Sequence, residues 1–224
     1  MSVIFEVVAK MAEPICAVNE VVHLDGVLAY GAFLDLDETR RKELPPISSE
    51  WAEDFDLPLE RWELPAKIPE PFDERLCASQ GVVWGWKCSA ARAEGAVLGG
   101  LQEVRKKPAL SEMVQFSSAR KLPMGSGPVR AKDRKFPTQF AHEWRWCACG
   151  DPDETLRLLR LVPGIGKLVG QGSGRVIEWS VHEAKEDWTM WRTLPDAESP
   201  LLFGIRAPYH HPSRRVYARL PDAA

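Results

Sequence analysis

Leu161–Ser180 reads LVPGIGKLVGQGSGRVIEWS and decides how the chain is understood. Gly164, Gly166, Gly170, Gly172 and Gly174 fall in this span, with Lys167 and Arg175 among them. Upstream, Asp151-Pro152-Asp153-Glu154 offers a capping acid and a first-turn proline, which predicts a helix over Asp151–Leu161. Downstream, the apolar run Val176 to Val181 predicts a strand over Arg175–Glu183. A helix that enters a basic glycine loop and leaves as a strand gathers bare backbone N–H groups and cations. That combination suits a phosphate-bearing partner. No Gly-Lys-Ser/Thr opens a helix after a strand, so the loop is not a Walker A motif. A dinucleotide fingerprint has its glycines after a strand and before a helix, and the order here is reversed. A plain glycine turn between two elements has the same composition, so that reading stays open.

The chain has 224 residues, 45% hydrophobic and 27% charged, which describes an ordinary globular protein with ample core. Its net charge of -3 excludes a uniformly basic nucleic-acid binder. Charge is nevertheless segregated. Acids dominate from Asp35 to Glu74, bases from Arg105 to Lys135, and bases again from Arg206 to Arg219. Any nucleic-acid surface is therefore local. Five cysteines at irregular spacing, with no secretory signal and no membrane-length apolar run, lead us to expect a cytoplasmic protein without disulfides and without membrane contact. Cys147-Ala148-Cys149 with His142 lacks a second ligand pair at usable spacing, so no metal and no cofactor is expected.

Val3–Met11 is predicted as the first strand, with a second extended piece at Val18–Val22. Helical spacing then runs from an Asp25 cap to about Glu43, where Pro45-Pro46 stops it. Pro45–Pro71 reads as an acidic insertion with one extended piece near Leu59–Leu64. Val82–Cys88 is a strand, Gly95–Glu103 a turn followed by an ambiguous segment, and Lys106–Pro137 a basic, weakly periodic stretch. Phe140–Cys149 is a strand, and Pro200–Ile205 a short one in the tail. Trp84 with Trp86, and Trp144 with Trp146, alternate so that each pair shares a strand face, which reads as core. Trp188 and Trp191 read as packing. The element order predicts an α+β chain, a ferredoxin-like βαββαβ sheet with a large central insertion and a C-terminal extension. The chain forms a single domain, with core elements at 1–44 and 138–185, the insertion at 45–137 and the extension at 186–224.

Two features of the sequence resemble a known family. Gly164 to Val176, followed by Glu178-Trp179, resembles the glycine-rich loop that RAMP proteins of CRISPR effector complexes carry between the second helix and the last strand. His23-Leu24-Asp25-Gly26-Val27-Leu28-Ala29-Tyr30 and Gly204-Ile205-Arg206-Ala207-Pro208-Tyr209 resemble the opening and closing motifs of type IV members, in particular the Cas-five-like subunit. The chain departs from the usual loop in having Lys167-Leu168 where two bases follow Ile-Gly, and Ser173 where an aromatic stands between later glycines. The resemblance implies an RNA-recognition-motif-like fold. It also implies a non-catalytic subunit that caps the 5′ handle of the guide CRISPR RNA, docks on backbone RAMP subunits and contacts the target DNA duplex beside the protospacer.

The residues expected at an RNA surface are the loop set Gly164, Gly166, Lys167, Gly170, Gln171, Gly172, Ser173, Gly174 and Arg175. Arg206, Tyr209, His210, Arg214 and Arg215 add a basic tail with a ring for base stacking. Arg130, Lys132, Arg134 and Lys135 are expected to meet a DNA or RNA backbone. Two other functions fit the same residues. One is a RAMP endoribonuclease that processes guide precursors with His23 or His210 as acid/base; the other is an assembly protein unrelated to CRISPR.

Overall fold

The computed structural model describes residues 3–16, 21–45, 54–67, 82–106 and 132–221. The first half runs β1 (Val3–Met11), β2 (Ile15–Cys16), α1 (Leu24–Asp35), α2 (Glu38–Glu43), β3 (Arg61–Pro65), β4 (Val82–Trp86), β5 (Arg92–Glu94) and β6 (Leu98–Lys106). The second runs β7 (Lys132–Phe140), β8 (Glu143–Gly150), α3 (Pro152–Leu159), β9 (Val176–Glu183), β10 (Leu194–Pro195), β11 (Leu202–Gly204) and β12 (Arg215–Arg219). The chain is α+β, with antiparallel sheets and few helices.

The principal sheet has the order β5-β8-β1-β9, and each neighbouring pair is antiparallel. Alternation decides its faces. Phe5, Val7, Ala9 and Met11 of β1 turn inward with Trp144, Trp146 and Ala148 of β8, and all are buried. Leu24, Val27 and Leu28 of α1 and Leu158 and Leu159 of α3 join the same core, so both helices cover this face. Trp146 is fully buried and its indole N–H donates to the Val22 carbonyl at 3.0 Å, which satisfies the one polar atom it takes inside. The opposite face is polar. Arg145 is gripped there by Glu6 at 2.7 Å, by Glu143 at 2.9 Å and by Glu94.

The helix expected to Glu43 is two helices. Asp37 accepts from the Arg40 amide at 2.8 Å, so it caps a new helix instead of continuing the first. At α3 the expected cap is present: the Asp151 carboxylate accepts from Asp153 N at 3.0 Å and Glu154 N at 3.1 Å, with Pro152 in the first turn. The helices meet at Gly31, where a Cβ would stand 2.8 Å from the Leu158 carbonyl oxygen. Arg157 of α3 closes the contact by forking onto Asp35 of α1 at 2.8 and 2.7 Å.

A smaller sheet, β10-β12-β11, packs with the β3–β4 hairpin around Trp62, Val83, Ile205, Val216 and Ala218. The third sheet corrects the reading of the middle of the chain. Gly95–Glu103 and Lys106–Pro137 were expected as a turn and a weakly periodic stretch, yet Leu98–Lys106 and Lys132–Phe140 pair along their whole length as β6 and β7. β2 adds a short strand beside Gln139 and Thr138. Leu98 and Leu101 remain 65% and 68% exposed, so no face of this ribbon is buried strongly enough to impose alternation. Pro137 lies beyond the reach of β2, where β7 has a partner on one side only and a missing N–H is tolerated. The extended piece expected at Val18–Val22 falls largely outside the described residues.

Gly31→Val places two methyl groups against the Leu158 carbonyl. We expect it to destabilise the fold by roughly 1–3 kcal/mol, measured as a lower urea midpoint with an unchanged m-value.

Candidate nucleic-acid interface

After α3 the chain turns at Pro163 and returns upon itself. The Ile165 amide donates to Gly174 O at 2.8 Å and the Val176 amide to Pro163 O at 3.1 Å, so the two ends of the loop pair like a short ladder. The loop is also sewn to the segment around β2. Lys167 N donates to Cys16 O at 2.6 Å and Gly174 N to Pro14 O at 2.8 Å. Gly166 and Gly174 have φ of 87° and 64°, and a Cβ on Gly174 would collide with the Ile165 carbonyl. Glycine is therefore structural at both positions.

Between these anchors the chain rises into a single 3₁₀ turn, Val169–Gln171, entered through Leu168 at φ 62°. The amides of Gln171, Gly172 and Ser173 are bonded inside the turn, to Leu168 O, Val169 O and Leu168 O. Those of Leu168, Val169 and Gly170 donate to no acceptor among the described residues. Gly170, Gln171 and Gly172 are exposed, and a Cβ on Gly170 or Gly172 would meet nothing within 4 Å. These two glycines leave the backbone bare and accessible. Lys167 and Arg175 are exposed at either end of the loop and have no ion-pair partner among the described residues.

Three loop residues face inward. Gly164 and Gly174 are buried, and Ser173 is only 6% exposed. The Ser173 hydroxyl lies 3.2 Å from Pro14 O and 2.9 Å from the Gln102 side-chain oxygen, so it holds the loop to β6 instead of facing a ribose. That contact brings the basic arm beside the loop. Gln102 is opposite Phe136, and Arg134, two residues along β7, shares their face. Arg134 is exposed without an ion-pair partner among the described residues, whereas Lys135 is held by Glu103 at 3.1 Å. Lys132 begins β7, and Arg130 lies outside the described residues.

The tail departs most from expectation. Arg206 and Arg214 are each 7% exposed and converge on Asp54, at 3.4 and 2.8 Å. Burial and the neighbouring Arg214 charge lower the Arg206 pKa to about 10, and its guanidinium lies 3.9 Å from the Trp84 ring centroid. Tyr209 stacks on His23 with centroids 4.7 Å apart, and its hydroxyl donates to the Asp25 carboxylate. These three side chains serve the interior because the acidic segment and α1 supply their partners. His210 stays exposed and Arg215 half-buried.

Asp25 is the centre of that interior. It was read as a helix cap, but His23 occupies the cap position and Asp25 is fully buried in the first turn. It receives Tyr209 Oη, Ala207 N at 3.3 Å and Arg192 at 3.4 Å. Arg192, also fully buried, donates to Trp86 O at 2.6 Å, Cys88 O at 2.9 Å and Ile205 O at 2.6 Å. Burial works against its charge, but Asp25, Tyr209 and Cys88 together more than offset this and raise its pKa. His23 accepts from Thr193 N at 3.1 Å; burial and the Arg192 charge push its pKa down to about 3. A histidine so held is neutral and largely shielded from solvent. Arg192 escaped the sequence reading because it follows Trp188-Thr189-Met190-Trp191 in a segment with no periodicity. Its one signal was an arginine embedded among apolar residues.

Among the described residues no group of three His, Cys, Asp or Glu is disposed to hold a metal ion, and no helix is long and apolar enough to cross a membrane. Compared with known proteins, the chain matches no family model and no curated protein.

Gly174→Ala cannot be accommodated without moving Ile165, and we expect it to loosen the loop, seen as faster amide exchange at Ile165 and Lys167. A second expectation concerns pH. The folded-state pKa of His23 lies below its ordinary value, so the unfolded chain binds the extra proton between about pH 6.5 and 3. Stability from this group is complete above that window and is lost as pH falls through it. His23→Gln should flatten the slope of unfolding free energy against pH in that range.

Proposed function

We propose that this chain is a non-catalytic RNA-binding subunit of a type IV CRISPR ribonucleoprotein. In this reading it caps the 5′ handle of the guide RNA, docks on backbone RAMP subunits and reaches toward the target duplex beside the protospacer. The observation that carries the proposal is the accessible crest of the glycine loop. Three consecutive amides, Leu168 to Gly170, have no acceptor among the described residues and stand between Lys167 and Arg175, with Arg134 on the neighbouring arm. Unbonded amides in sequence, together with unpaired cations, suit the oxygens of a sugar-phosphate chain. Exposed Gln171 adds donors and an acceptor for a base edge or a 2′-hydroxyl.

Two further features support the reading. We take the sheet as ferredoxin-like: β1–α1–β5 and β8–α3–β9 are two split βαβ units, each embracing the central strand of the other, which agrees with the order β5-β8-β1-β9. The opening and closing motifs that carry the resemblance also meet in space. His23 and Asp25 touch Tyr209, and a Cβ on Gly26 would stand 3.4 Å from the Tyr209 ring. The polar sheet face carries Glu6, Glu94 and Glu143 around one arginine, so the interface assigned to RNA is the loop and arm, not that face.

The test is crosslinking within the assembled complex, joined to a salt titration of binding. Lys167→Glu with Arg175→Glu should abolish loop crosslinks to guide RNA and weaken binding at least tenfold. Neutralising each phosphate-contacting cation should lower the salt slope by about one. Unchanged assembly and crosslinking in the double variant would remove the proposal. Clean cleavage of repeat RNA, lost in His210→Ala, would replace it with the processing nuclease.

A further inference from the structure

β9 is an edge strand of the principal sheet, and among the described residues its outer side is unpaired from Trp179 onward. Backbone alternation shows which groups are free. Met11 N donates to His142 O, on the β8 side, so odd-numbered β1 residues bond to β8 and even-numbered ones to β9. Glu178, Ser180 and His182 lie opposite Lys10, Val8 and Glu6 and bond inward. The main-chain groups of Trp179, Val181 and Glu183 therefore point away from the sheet, whereas the register shift at Lys10/Met11 is a bulge that turns the Ile177 N–H inward toward Lys10. None of these three has an outward backbone bond among the described residues, and Val176 is already occupied by Pro163. The free edge is thus residues 179–183. Proline and lysine, the usual guards of such an edge, are absent from it. At the opposite edge of the sheet β5 is three residues long and carries Arg92 and Glu94.

The strand is self-complementary about Ser180. In an antiparallel pairing of two copies centred on that residue, Trp179 faces Val181 of the second copy. Glu178 faces His182, and the two Ser180 residues face each other. The hydrogen-bonded pairs are then 179 with 181, the residues whose backbone groups are free. Both ends contribute a Glu178–His182 contact of opposite polarity. Glu178 uses one oxygen for Lys10 at 2.8 Å and retains the other, while His182 uses Nε2 for the Ser180 hydroxyl at 3.0 Å and retains Nδ1. Like charges face each other nowhere in this register.

We propose that the chain associates with a second copy of itself through β9, joining two four-stranded sheets into one of eight strands around a two-fold axis at Ser180. This goes beyond the RNA reading and is tested without RNA. The full chain at tens of micromolar should sediment at twice the mass of one chain. Val181→Pro removes an outward N–H and leaves the β1–β9 ladder intact, so it should sediment as a single chain with an unchanged far-ultraviolet spectrum. Ser180→Lys, which alters no backbone group, sets two lysines opposite each other at the two-fold axis; it should weaken association at least tenfold and guards against a folding defect in the proline variant. Ser180→Cys places two thiols at a non-hydrogen-bonded pair, with Cα atoms about 4.5 Å apart. Mild oxidation should then yield a covalent dimer on a non-reducing gel that the native chain does not form. A chain that stays single at these concentrations overturns the proposal. So does a dimer that survives both edge substitutions, or a Ser180→Cys chain that does not crosslink.

Discussion

The contact between Asp25 and Arg192 is what the rest of the molecule is arranged around. Both side chains are fully buried, one at the start of α1 and the other far along the chain before β10. Two charges removed from water destabilise a fold unless each finds hydrogen-bond partners, and here both do. Arg192 gathers carbonyls from β4, the following loop and the segment after β11, while Asp25 gathers Tyr209 and the Ala207 amide. Removing either partner from such a pair typically costs about 3–5 kcal/mol, because the other is left charged and alone. The principal sheet with its helices and the smaller C-terminal sheet are therefore held together by one polar knot, with separate apolar cores on either side of it.

Three of the four strands of the principal sheet were legible because they obey simple alternation; β5, only three residues long, lay inside the expected insertion and was not foreseen. Val3–Met11, the Trp144/Trp146 strand, the Asp151-Pro152 helix start and the strand after the glycines all lie where residue pattern puts them. The β6–β7 ribbon was not legible. Its residues have water on both faces, so periodicity carried no information, and Pro137 argued against a strand. The break between α1 and α2 turned on one carboxylate: Asp37 looks like any helical surface residue until its side chain is seen to cap the next turn.

The candidate site divides along the same line. Glycines and lone cations in a short span announce an exposed backbone, and Lys167, Gly170, Gln171, Gly172 and Arg175 are indeed on the surface. The basic tail misled, because arginine beside tyrosine looks equally like a ligand surface or a buried network. What separates the two is the partner. Asp54 lies about 150 residues from Arg206 in sequence, and no local pattern joins them. The stretches His23–Tyr30 and Gly204–Tyr209, far apart in sequence, are the two sides of a single packing contact.

The carboxylates around Arg145 have one more consequence. Glu6, Glu94 and Glu143 outnumber Arg145 and the neighbouring Arg92 on that flank of the sheet, while Lys167, Arg175 and Arg134 at the loop and arm have no ion-pair partner among the described residues. A molecule with opposite poles feels a torque near any long polyanion, and it turns before it touches. Rotation that is settled during approach shortens the angular search at encounter, even for a molecule whose net charge is negative.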